Sequence, residues 1–65
     1  MRVQYIVQNT TDILQTQLGP SGMFIPNEND HVNIEGKRWC VQSREVMDLN
    51  KGEIIVWLYD DTRRW

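Results

Sequence analysis

The chain of 65 residues carries one histidine and one cysteine, His31 and Cys40, and either would need companions to do chemistry. A histidine acts as a general acid or base only beside the group it relays protons for. Asp30 is adjacent, but alternation along a strand sends neighbours to opposite faces, so His31 reads as a surface residue at a loop edge. A reactive Cys40 would need positive charge nearby to hold its thiolate. Arg38 and Arg44 are close in sequence, yet no histidine, amide or acid stands with Cys40 in a nucleophile pattern, and it reads as a small packing residue. The acids Asp30, Glu35, Glu45, Asp48, Glu53, Asp60 and Asp61 are scattered, whereas paired-carboxylate catalysis needs two held across a cleft. They suit strand ends, where charge keeps sheet edges from pairing. One Cys and one His cannot supply the four ligands of a structural zinc. Gly19-Pro20-Ser21-Gly22 lacks the Lys-Ser/Thr ending of a phosphate loop. No catalytic residue, metal ligand or cofactor is assigned, and the chain reads as non-enzymatic.

The aromatic residues point elsewhere. Three Trp in so short a chain is a high content, and Trp, Tyr and Arg are the types that most often dominate interfaces. Trp39 has the parity of a core residue. Trp57, Tyr59 and Trp65 do not, and with Ile55, Arg38, Arg63 and Arg64 they form a candidate surface for a protein partner or for stacked bases.

The elements that must position these groups are strands. Val3, Tyr5 and Val7 alternate with Gln4, Ile6 and Gln8 in a first strand over residues 2–8. The turn formers Asn9-Thr10-Thr11-Asp12 follow. Residues 13–18 offer a second strand, with a short helix capped by Asp12 and running through Gln17 as the alternative. After the Gly19–Gly22 punctuation, Phe24 is expected to plug one end of the core, and Asn27 to Asp30 forms a polar loop. Two hairpin signals, Glu35-Gly36 and Asn50-Lys51-Gly52, lie between runs rich in Val, Ile and Trp. Val32 and Ile34 share one face. Trp39 and Val41 share another, with Met47 and Leu49 at the same parity. Ser43, Glu45 and Val46 break that alternation, so a bend or bulge is expected near Arg44. The last strand has two apolar rows, Ile54, Val56, Leu58 and Ile55, Trp57, Tyr59, and is either central and covered twice or exposes a sticky face. Ile6, Val46 and Trp65 are the chief residues left to cover the second row.

Composition bounds the answer. Hydrophobic residues make up 40% and charged residues 25%, ordinary globular values that argue against disorder. One β-domain spanning residues 1–65 is expected, with a charged tail, 61–65, that frays unless Trp65 anchors it. No apolar run is long enough for a membrane span, no secretory leader is visible, and a lone cysteine suits a reducing compartment, so a cytoplasmic location is expected. The net charge of −2 weakens any case for nonspecific binding to a nucleic-acid backbone.

Pro26, Asp30, Val32, Ile34, Gly36, Lys37, Trp39 and Val41 stand in a P-x-x-x-D-x-V-x-I-x-G-K-x-W-x-V arrangement, followed by a strand containing Val56 and Leu58. Over about half its length the chain thus resembles the small SH3-like β-barrel proteins of bacteria and their phages. The resemblance implies a fold of five or so short strands, as a barrel or an antiparallel meander, and no functional residue carries over. It extends the expected role, a protein-binding module, to a phage or mobile-element protein that binds and regulates or inhibits a host protein. Such a small chain gains stability by pairing apolar faces, so a homodimer or a protein partner is expected through the face carrying Trp57. The rival is a nucleic-acid-binding barrel in which aromatics stack bases and Lys37, Arg38, Arg44, Arg63 and Arg64 track phosphates. A third reading is a nucleotide-sized ligand at a subunit interface.

Overall fold

The structure, a computed structural model, describes residues 1–20 and 24–60. Each strand begins and ends where the turn residues require. β1 (Arg2–Val7) passes through the Asn9 turn into β2 (Ile13–Leu18). There the Thr10 hydroxyl donates to the Val7 carbonyl at 2.7 Å and accepts from the Asp12 amide at 3.0 Å, so the polar turn satisfies its own backbone. Ile13–Leu18 is a strand, and the helical alternative is excluded. β3 (His31–Ile34) and β4 (Lys37–Asp48) are joined by Glu35 and Gly36 at φ of 52° and 81°. Positive φ at both central residues marks the type I′ turn, whose twist matches that of the flanking strands. β4 returns through Asn50 to β5 (Glu53–Asp60), with the Lys51 amide on the Asp48 carboxylate at 3.0 Å. Gly52 closes that loop at φ 67°, a conformation that strains any residue with a Cβ, although a Cβ there would meet Met1 only at ordinary contact distance, 3.4 Å.

The sheet order is β2-β1-β5-β4-β3. β1 and β5 are parallel and the other three contacts antiparallel, so the first and last strands meet at the centre, which a simple meander would not allow. The result is an all-β, nearly closed, barrel-like sheet, consistent with a small SH3-like barrel. Its core is Val3, Tyr5, Ile34, Val41, Val56 and Leu58. β5 is central: Val3, Tyr5 and Val7 flank Ile54, Val56 and Leu58 on one side, and Val41 faces Leu58 on the other.

The β4 bulge lies at Gln42, where the register passes from Val41–Leu58 to Ser43–Trp57, two residues before Arg44. The extra residue resets the faces, so Ser43 and Glu45 join the outer row of β5. The same reset takes Met47 off the parity of Trp39 and Val41, and a second irregularity falls at Met47 before Asp48 pairs with Glu53. Leu49 lies past the end of β4 in the turn. Both, expected at core parity, are exposed. Phe24 does not plug the core and is 78% exposed. Pro26 is buried and Ile25 packs on the core instead. The polar loop behind them is pinned to mid-β4, with the Asn29 amide on the Val41 carbonyl at 2.9 Å and the Val41 amide on the Asp30 carbonyl at 2.8 Å. Trp39 is only half-buried at the core's edge, beneath the Lys37 ammonium.

Candidate functional site

Chemistry by ionisable groups needs a group held in a perturbing environment, and little is held that way here. Among the described residues no charged side chain is buried, and no cluster of His, Cys, Asp and Glu could hold a metal ion. His31 is exposed at the start of β3, opposite Cys40. Cys40 is a buried free thiol, packed on the outer side of β4 beside Tyr59. Burial pushes the Tyr5 phenol above its ordinary value, and its hydroxyl donates to Gln17 Oε1 at 2.7 Å, a structural role.

The outer face of β5 is different. Ile55, Trp57 and Tyr59 run along it, each half-buried. Ile6 of β1 lies beside Trp57 and is itself buried, so it is one of the residues that cover this row, as expected. Val46 does not, because the Gln42 bulge turns it toward Ile54 on the other face. Glu45 stands opposite Ile55, and its carboxylate accepts from the Trp57 indole N–H at 3.1 Å. That bond holds the ring in one orientation while leaving its face part-open. Arg38 is exposed on β4 at the parity of Cys40, which puts it on the Tyr59 side. The structure therefore brings Ile55, Trp57, Tyr59 and Arg38 to one face; Arg63, Arg64 and Trp65 lie outside the described residues.

Two hollows flank the Asn9 turn at the end of this face. One, of about 590 Å³, is bounded by Gln8, Asn9, Thr10, Trp39, Tyr59 and Asp60. The other, of about 420 Å³, lies between that turn and Gln42, Ser43 and Trp57. Gln8 is held there because its amide continues the β1–β5 ladder onto the Leu58 carbonyl at 2.8 Å. On the far side of Trp39, Lys37 Nζ lies 4.5 Å from the ring centroid and 2.9 Å from Asp60 Oδ2. The Gln8–Thr10 wall escaped the sequence reading, because turn residues between strands show no sign of what they stand against. Glu45 was within reach of it, since the broken alternation near Arg44 already implied that the two faces exchange there.

No family model, curated protein or solved structure matches this chain. No helix among the described residues is long and apolar enough to cross a membrane.

Proposed function

We propose that this is a non-enzymatic protein-binding domain whose contact surface is the outer face of β5, with Ile55, Trp57, Tyr59 and Arg38, together with the two hollows beside the Asn9 turn. The observation that carries the reading is the half-buried row Ile55–Trp57–Tyr59 beside concave, aromatic-walled ground. Aromatic and Arg anchors next to pockets are what interfaces use as their energetic centre. The resemblance to SH3-like phage and bacterial proteins extends the proposal to a host protein as the partner and regulation or inhibition as the outcome. Charge favours protein over nucleic acid. The net charge is −2, and two of the seven basic residues, Lys37 and Arg2, are paired with Asp60 and Glu53, which weakens attraction to a phosphate backbone.

The test is capture from host lysate by the parent and by Trp57→Ser and Arg38→Glu variants, each confirmed folded by its melting curve. Proteins retained by the parent and lost by both variants support the reading. Equal capture by all three overturns it. Binding of a labelled single-stranded oligonucleotide that weakens steeply with salt, or a thermal shift on adding nucleotides, would transfer the face to one of the rival ligands.

A further inference from the structure

Beyond the β5 face, the two edges of the sheet differ in a way that implies a second contact. β3 is a short edge of four residues with Asp30 and Glu35 at its ends, and shortness and charge are how proteins keep an edge from pairing. β2, ILQTQL, is longer at six residues and carries no charge, its one irregularity being a bulge at its start. No charged residue occurs anywhere from Ile13 to Asn27, and β2 shows Ile13 at 52% and Leu18 at 77% exposure.

The hydrogen-bond phase of β2 follows from its neighbour. Met1 and Gly19 exchange both bonds, at 2.8 and 3.0 Å, and antiparallel pairs alternate between bonded and non-bonded. Val3–Gln17 is then bonded and Arg2–Leu18 is not, so Thr16 and Leu18 turn their N–H and C=O groups away from β1, toward the free edge. The outer phase of β1 agrees, since the Arg2 amide bonds the Gly52 carbonyl at 2.8 Å. Beside that edge a hollow of about 440 Å³ separates Gln15 and Gln17 from Phe24 and Val32. Leu14 is the extra residue of a bulge, since Ile13 pairs with Ile6 and Gln15 with Tyr5, and this sets Ile13 on the same outer face as Thr16 and Leu18.

We propose that β2 pairs with β2 of a second copy of this chain, antiparallel, about a twofold axis at Thr16. A twofold axis perpendicular to the joined sheet keeps outer faces together and lets only residues of like phase meet. Centred on Thr16, it bonds Thr16 to its own counterpart and lays Leu18 against the partner copy's Ile13–Leu14 bulge, twice over. Both exposed apolar residues are covered by one operation. Because the segment is uncharged, self-pairing brings no like charges together. Two six-residue edges bury less than the roughly 1,200 Å² of a stable interface, so the dimer is weak and reversible.

Sedimentation from about 10 to about 500 μM, the range that spans weak interfaces, should show mass rising toward the dimer for the parent. Thr16→Lys faces one ammonium against another and should stay monomeric throughout, while melting within about 4 °C of the parent because the site is exposed. In a bonded antiparallel pair the Cα atoms lie about 5.5 Å apart, inside disulfide range. Thr16→Cys should therefore oxidise to a covalent dimer much faster than Asn50→Cys, an exposed control. A parent monomeric at every concentration overturns the proposal, as does a Thr16→Lys protein that dimerises like the parent or a Thr16→Cys protein that cross-links no faster than the control. If Trp57→Ser abolishes dimerisation and Thr16→Lys does not, the copies meet through the β5 face and this contact is excluded.

Discussion

The two sides of β5 carry nearly equal apolar content and meet different fates. Val56 and Leu58, on the inner side, are fully buried, with Tyr5 and Val7 on one flank and Val41 on the other. Ile55, Trp57 and Tyr59, on the outer side, remain half-buried, although their neighbours Ile6 and Cys40 are covered. Curvature accounts for the difference. In a nearly closed sheet the concave side brings side chains from all strands together, while on the convex side they diverge and the larger rings must cover the smaller residues beside them. An apolar row therefore becomes core or surface according to which way the sheet bends.

The sharpest way to break this comparison is to truncate both sides. Leu58→Ala leaves a cavity in the middle of the core and should cost about 2–5 kcal/mol, enough to unfold much of a domain this small at ordinary temperature. Tyr59→Ala, one residue away on the convex side, should cost clearly less in the same urea titration. If the two midpoints fall together, the outer row is as much core as the inner one, and its proposed role as a contact surface fails.

The smallest expected effect lies at the core's edge. Tyr5→Phe removes the bond to Gln17 and should cost about 0.5–1.5 kcal/mol. It should also change the alkaline limb of stability. Burial raises the Tyr5 phenol in the folded state, so the unfolded chain ionises first. The contribution of Tyr5 is whole below the unfolded value of about 10 and is lost as pH rises through the folded one. Chemical denaturation between pH 8 and pH 11 should show the parent losing stability more steeply than Tyr5→Phe. Parallel slopes would mean that the phenol is solvated in the folded state.

Alternation and turn chemistry determined much of this protein from the sequence alone, because both are local. The strand over residues 13–18, the Glu35-Gly36 turn, the double row on β5 and a break in β4 all follow from a two-residue period and from side chains that favour or forbid particular φ values. Trp57, Tyr59, Ile55 and Arg38 were placed on one face by the same parity. Tertiary structure alone decided what depends on distant partners. Parity gave Trp39 the core, yet it ends as a half-buried wall beneath Lys37, since it pairs with Asp60 at the very end of β5. Parity also put Met47 and Leu49 inside, but Met47 follows the Gln42 bulge, which is set by how β4 must bend to stay paired with β5, and Leu49 lies in the turn beyond β4. Phe24 and Ile25 are equally apolar and adjacent, and only the path of the chain from β2 to β3 chose Ile25 for the core. The parallel meeting of β1 and β5 had no local signal, because pairing across the length of the chain is selected by the core it encloses and not by the residues at either end.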